Sequence, residues 1–425
     1  MTTLPRRRAL VIGLAGVLTA CAGPSVPAPQ STTPTAGGQA APTFPPPLPA
    51  PPTSAPTATS PTAAAPVATA APQATPGPAD EIAVDVRLWN GEATIQIDGQ
   101  TVSPGPRRLS AGPHQAAALV DGEVVSLADI GPAGGSVDLI VPPTQASLAI
   151  MIENQADARP QTGLTSADVV YEALAEGGIT RFISVFLRND APVVGPVRSL
   201  RHYFAFFAAD YGADVVHIGA SPEGFAWRDA MNMGHLDESA GDPGVWRIRS
   251  RPAPHNAYTD TAADRGFLSA MGRQRNRQWG PLLFDESPPS GPQAAHSISL
   301  GFAPWPYRVG YQWDAAEQRY LRFMDGSAHR DAVSDEQIAP ATVVVQFAEV
   351  DAIPNDPKLR LDVNLVGGSG QLVVFSGGTR REGTWMKPAP RSSTRWLDTH
   401  GERLTIPPGP VWVEVLPLDS PLSWS

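Results

Sequence analysis

A single cysteine, Cys21, leaves the chain without a partner for an internal disulfide and without the thiolate pairs of common structural zinc sites. Charge is missing altogether from Ala22 to Ala79. The strongest apolar run at the N-terminus, Ala9 to Ala20, spans twelve residues, short of the roughly 20 that a membrane-crossing helix needs. No Gly-x-x-x-x-Gly-Lys-Ser/Thr loop occurs, and no Gly-x-Gly-x-x-Gly opens a helix, so the common nucleotide signatures are absent. None of the eight histidines forms His-Glu-x-x-His. The sequence therefore predicts no metal and no cofactor. The formal net charge is −10, and about −13 without Arg6, Arg7 and Arg8. Nucleic acid and anionic membrane surfaces demand a basic footprint, so neither is expected as a general partner.

What is present at the N-terminus has a clear order. Three arginines precede the short apolar run, and a small-residue junction follows it, which is the pattern of a secretory signal. Leu18-Thr19-Ala20-Cys21 resembles the lipobox of bacterial lipoproteins. That resemblance implies cleavage before Cys21 and lipid on its thiol, hence an extracytoplasmic protein anchored to a bacterial membrane. Seventeen of the 58 residues from Ala22 to Ala79 are proline. Such a segment cannot bury enough apolar surface to offset its chain entropy and reads as a semi-rigid, disordered tether.

Beyond the tether the sequence predicts a multidomain α+β protein. Its parts are a small N-terminal β-sandwich-like module over 81–145, a central α/β domain with a mixed or parallel sheet over 146–292, and a C-terminal β-rich domain over 293–418; residues 1–20 are the signal and 21–80 the anchor and tether. Ile82 to Leu88 and Ala93 to Asp98 alternate in hydrophobicity, and Asp121-Gly122 reads as a hairpin turn. In the central part, Leu148 to Ile152, Ile179 to Leu187 and Asp214 to Ile218 read as strands. Helices are expected over 166–176 with Thr165 as cap and Gly177-Gly178 as stop, over 199–211, and over 260–271. In the last part, Gly377-Gly378 and Gly383 bracket Thr379 to Glu382 as the turn of a long hairpin.

Strands alternating with helices place a ligand crevice beyond the carboxyl ends of the strands. Asn154, Arg159, Arg198 and Ser221 follow predicted strands, and the acidic chain gathers Arg181, Arg198, Arg201 and His202 within 22 residues. Arginine forks and a helix start could together hold a phosphate or carboxylate. His255 and Asn256 lie in a polar loop and are less readily explained by packing than His217, which sits among valines. The candidate ligand-binding set is Asn154, Arg159, Arg181, Arg198, Arg201, Ser221, His255 and Asn256, with lipid on Cys21. His235-Leu-Asp237-Glu238 and His329-Arg-Asp331 are compact His/acid groups that a further ligand would have to complete before they held a cation.

Ala158-Arg-Pro-Gln-Thr-Gly163, Ala167-Asp-Val-Val-Tyr-Glu172, Gly177-Gly-Ile-Thr-Arg-Phe182, Gly195-Pro-Val-Arg-Ser199 and His217-Ile-Gly-Ala-Ser221 resemble the first domain of the YerB-like bacterial lipoprotein family. Tyr320-Leu-Arg322, Asp325-Gly326, His329-Arg-Asp331 and Gly383-Thr-Trp-Met-Lys387 resemble its second. The likeness runs over roughly 148–416. It implies a secreted, lipid-anchored protein with paired domains and supplies no reaction or ligand. The expected role is to bind an anionic envelope ligand or a partner protein. Arginines around an α/β crevice are also similar to the LytR-type cell-wall ligases, whose motifs are missing here. That likeness implies the alternative of an envelope phosphotransferase or hydrolase acting on a pyrophosphate-linked or other anionic precursor. A structural spacer or adhesion scaffold is the third expectation. The lipobox reading has a direct consequence: Cys21→Ala should abolish incorporation of labelled fatty acid, and equal labelling of wild type and variant would remove the anchor.

Overall fold

The computed structural model describes residues 81–273 and 277–425. The signal, Cys21 and the tether fall outside the described residues. The α+β composition expected from the sequence is observed, with several sheets and three α-helices among the described residues.

Residues 81–140 alternate as the sequence suggests. Ile82, Val84 and Val86 of strand Glu81–Trp89 point inward while Glu81, Ala83 and Asp85 face outward or sit at the edge. A three-stranded and a four-stranded sheet share a core of Val84, Val86, Ile95, Ala116 and Leu139. Asp121 and Gly122 both have positive φ, at 52° and 82°, as a tight hairpin turn requires.

The main sheet follows. Its principal strands are β1 (Leu148–Glu153), β2 (Val169–Leu174), β3 (Thr180–Phe186), β4 (Asp214–His217), β5 (His235–Asp237), β6 (Thr342–Ala352), β7 (Gly368–Ser376), β8 (Thr379–Lys387) and β9 (Val411–Pro417). They lie in the order β5-β4-β1-β3-β2-β9-β6-β7-β8. The β5-β4-β1 and β2-β9-β6 runs are parallel and the remaining pairings antiparallel, so the sheet is mixed. The β2–β9 ladder makes one sheet out of strands from both sides of residue 292. One face carries α1 (His202–Asp210), and the other is covered by a five-stranded sheet that includes Arg308–Asp314 and Arg319–Met324.

Three expectations are corrected. The helix expected over 166–176 is strand β2. Val169 to Leu174 is sealed on both faces between β3 and β9, and a strand buried on both sides shows a continuous apolar run that periodicity cannot tell from a helix. Thr165 consequently caps nothing. Asp168 instead accepts bonds from Leu187 N–H at 2.7 Å, Arg188 N–H at 3.0 Å and Arg188 Nε at 2.6 Å. Gly177-Gly178 is the turn between β2 and β3, with φ of 66° and 75°, and a Cβ on Gly178 would overlap the Trp305 ring. The second helix begins three residues later than expected. Arg201 is its extended N-cap residue, so Arg198 to Arg201 precede the helix and owe nothing to its dipole. Third, the β7–β8 turn is Gly377-Gly378 alone, and Thr379 to Glu382 already belong to β8.

The helix α3 (Thr261–Ala270) matches expectation, with the Asp260 carboxylate accepting from Ala263 N–H at 3.0 Å. The helix α2 (Pro222–Ala230) was not anticipated, although Ser221-Pro222 is a good N-cap and first-turn pair. Lys387 at the end of β8 is buried and donates to Asp210 Oδ1 of α1 at 2.6 Å and to Ser392 O at 3.1 Å. Removing one member of a buried ion pair strands the other charge. Lys387→Ala should therefore cost roughly 3–5 kcal/mol in urea unfolding. Exposed Lys358→Ala should stay within about 0.5 kcal/mol of wild type.

Candidate functional site

Side chains alternate along a strand, so Glu153 and Asn154 at the end of β1 feed opposite faces of the sheet. On the α1 face, Glu153 is buried and accepts from Arg198 Nη2 at 2.5 Å and from His255 Nδ1 at 2.8 Å. Arg181 on β3 stands opposite Glu153 in the β1–β3 register and donates to Ser199 O at 2.8 Å. Arg201 bonds Glu176, and Arg181 reaches the same carboxylate at 3.5 Å. Three guanidiniums thus crowd around two carboxylates. Burial, with Arg201 beside it, pushes the Arg181 pKa down to about 10. Burial opposes ionisation of Glu176, but the Arg201 bond and the fields of both arginines hold its carboxyl below the usual range.

The opposite face is drier. Asn154 Nδ2, with two hydrogens, lies within hydrogen-bond reach of three acceptors, Thr180 Oγ1 at 2.7 Å, Glu172 Oε1 at 3.1 Å and Tyr307 OH at 3.2 Å. Its Oδ1 accepts from Arg159 Nε at 3.0 Å and Gln161 Nε2 at 2.9 Å. The Arg159 guanidinium lies 5.2 Å from the Tyr307 ring centre and 3.7 Å from Asp325. Behind it is a sealed network. Glu172 on β2 and Glu414 on β9 are register neighbours, and both are fully buried. Arg322 of the covering sheet bonds Glu172, lies 3.6 Å from Glu414 and stacks 4.3 Å from the Trp412 ring centre. Tyr311 OH donates to Glu414 Oε1 at 2.5 Å. Burial, with Glu172 alongside, drives the Glu414 pKa well above the carboxylate range. Arg322 Nη1 donates to His329 Nδ1 at 2.6 Å. Arginine only donates, so the neutral ring carries its hydrogen on Nε2, which lies 3.0 Å from Gln161 Oε1. Burial and the Arg322 charge push the His329 pKa well below its ordinary value.

The sequence candidates therefore divide. Arg181, Arg198, Arg201 and His255 gather on the α1 face with Glu153 and Glu176, whereas Asn154 and Arg159 belong to the opposite one. Ser221 Oγ accepts from Gly224 N–H at 3.0 Å and caps α2. Asn256 accepts from Arg247 at 3.0 Å and donates to Ile248 O at 3.1 Å, shaping the loop that presents His255. His217 is buried, its Nδ1 2.9 Å from Gly219 O, and burial pushes its pKa down to about 4. The two His/acid groups are occupied locally: Asp237 accepts from Gly219 and Ser239, and Asp331 from Gly163, Val333 and Ser334. Glu172, Arg322, Tyr311 and Glu414 were missed as a set. The available signal was a glutamate inside each of two apolar strands, Val169-Val-Tyr-Glu-Ala-Leu174 and Val411-Trp-Val-Glu-Val415.

Residues 139–274 match the N-terminal domain, and residues 298–413 the C-terminal domain, of DUF3048, a protein of unknown function. The putative lipoprotein YerB of Bacillus subtilis (strain 168) is 30% identical over 283 residues, covering 64% of this chain and 81% of that protein. The crystal structure of YerB from Bacillus subtilis is similar with a TM-score of 0.58 at 28% identity, over 66% of this chain and 94% of that one. The chain belongs to this YerB-like, two-domain family of unknown function.

The raised Glu414 pKa gives a pH signature. Glu414 is protonated in the folded protein above the 4.5 at which the free side chain ionises. Unfolding then releases a proton, and its contribution to stability is lost as pH rises toward the folded pKa. The stability of wild type relative to Glu414→Gln should fall by up to about 1.4 kcal/mol per pH unit above pH 4.5. A pH-independent difference in urea unfolding would show that no proton is held there.

Proposed function

We propose that this is a lipid-anchored extracytoplasmic protein that binds an anionic ligand of the cell envelope at the Arg181–Arg198–Arg201 face. The lipobox, the uncharged tether and the likeness to a putative lipoprotein support the anchored placement. In this reading 81–145 is a spacer module, and 146–292 with 293–418 form the ligand-binding body.

The observation that carries the reading is the imbalance of charge at one end of the sheet. Arg198 spends Nη2 on Glu153, while its Nη1 bonds no described residue and is not among the sealed polar atoms. An open guanidinium edge beside two further arginines is suited to a phosphate or carboxylate group. The side chain is 21% exposed, so a ligand can reach it while water is partly excluded.

Isothermal titration of the secreted protein with envelope fractions and anionic lipid-linked precursors tests this. Arg198→Ala should weaken binding by about 30-fold to several thousand-fold, the loss expected when a hydrogen-bonded, partly buried charge contact is truncated. Equal affinity in wild type and variant would remove the site.

A further inference from the structure

The histidine at this face is placed to take a proton, not only to pack. Glu153 is buried, and its two oxygens divide between Arg198 Nη2 and His255 Nδ1. An ionised carboxylate only accepts hydrogen bonds. The neutral imidazole must therefore keep its hydrogen on Nδ1 and present a lone pair at Nε2. That Nε2 bonds no described residue and is not sealed, whereas His217 Nε2 is sealed and unpartnered. The His255 side chain is 9% exposed, so its open edge is narrow. Other His/acid contacts lack this combination. His114 spends Nδ1 on Asp98 and Nε2 on Ser110 O, and the acid is half-exposed. His202 directs Nε2 itself at Asp362. His329 has both ring nitrogens bonded.

One buried carboxylate thus clamps two groups that each keep an open nitrogen, Arg198 Nη1 and His255 Nε2. We infer that Glu153, His255 and Arg198 form a hydrolytic site for a phosphoester, an inference that rests on the reading of this face as an anion site. A guanidinium edge holds non-bridging phosphoryl oxygens and carries their charge as it grows. A histidine oriented by a carboxylate serves as the proton acceptor for the attacking group. In the step, a water molecule gives one proton to His255 Nε2 while its oxygen forms the bond to phosphorus. The bond from phosphorus to the ester oxygen breaks, and its electron pair leaves with that oxygen. The leaving oxygen then takes the proton back from Nε2. Water and phosphoester are consumed, alcohol and phosphate are released, and the ring returns to its starting state. Glu153 holds the imidazolium that forms between the two transfers. Asn256, anchored by Arg247 and by Ile248 O, fixes the loop from which His255 projects.

The test uses the secreted chain, p-nitrophenyl phosphate and bis(p-nitrophenyl) phosphate as substrates, and inorganic phosphate as the binding probe. Wild type should release nitrophenol from at least one substrate. His255→Asn should lower that rate by 100-fold or more while phosphate affinity stays within about threefold. Nitrogen NMR should find the Nδ1–H tautomer at His255, and Glu153→Gln should abolish that preference. Phosphate binding without release from either substrate would overturn the hydrolytic site and leave the anion reading standing. So would an unchanged rate in His255→Asn, or a hydrogen on Nε2 in wild type. Absence of phosphate binding in wild type would defeat the anion reading first and the hydrolytic site with it. If Glu153→Gln does not fold, the wild-type tautomer and the His255→Asn rate decide alone.

Discussion

Arg322 is a fully buried cation, and the organisation of the family body turns on how its charge is met. Glu172 comes from β2, Glu414 from β9 and Arg322 itself from the covering sheet. A guanidinium taken out of water is tolerable only where acceptors meet it with good geometry. That condition requires β2 and β9 to be in register and the covering sheet to sit at one height above them. Apolar packing of the kind Phe182, Trp412 and the valines around them supply is less directional than a hydrogen-bonded charge and sets the height less sharply. The stacked Trp412 ring and the Tyr311 hydroxyl complete the enclosure. Such a network specifies one arrangement more than it stabilises the fold, since a well-packed apolar replacement of a buried ion pair is often no less stable.

The outer arginine face depends on this inner lock through strand alternation. β1 sends Glu153 to one face and Asn154 to the other, and β3 does the same with Arg181 and Thr180. Asn154 and Thr180 are tied to Glu172, so the register that satisfies the buried network also fixes where Glu153 and Arg181 stand. A slip of one residue would bury Arg181 against Phe182's neighbours and expose Thr180. Glu153 and Arg181 are therefore held on rigid strands, while Glu176, Arg198, Arg201 and His255 come from the connecting segments around them.

The sequence disclosed these layers unequally. Alternation at Ile82, Val84 and Val86 made the N-terminal strands readable, and Asp260 marked the start of α3. β2 was misread because a strand buried on both faces loses the alternation that identifies strands. Its true position depends on β9, more than 230 residues further along the chain, and no local pattern contains that pairing. The arginine cluster was legible as an excess of cations in an acidic chain. Its division between faces was not, because Arg159 and Arg198 both reach the end of β1 in space, bonding Asn154 and Glu153, and separate only when the parity of those two residues is known. The Glu172–Arg322–Glu414 set was hidden for the same reason as β2: its members are distant in the chain and meet only across two sheets.

The arginines of this protein are best distinguished by how many of their donors remain unspent. Arg322 has Nε on Tyr311, Nη1 on His329 and Nη2 on Glu172, with no exposed edge, and is structural. Arg188 donates to Asp168 and lies over Trp279 and Phe284, where its role is to cover apolar surface. Arg181 and Arg201 share Glu176 and give their remaining bonds to backbone oxygens. Arg201 Nη2 likewise bonds no described residue, but Arg198 alone in this group sets an open Nη1 beside a histidine held by the other oxygen of its own carboxylate. Cation count in the sequence pointed to the right segment. Donor accounting sets the spent Arg322 aside, and the carboxylate shared with His255 then selects Arg198, where an open edge beside like charges gains both a bond and relief of repulsion from a new anion.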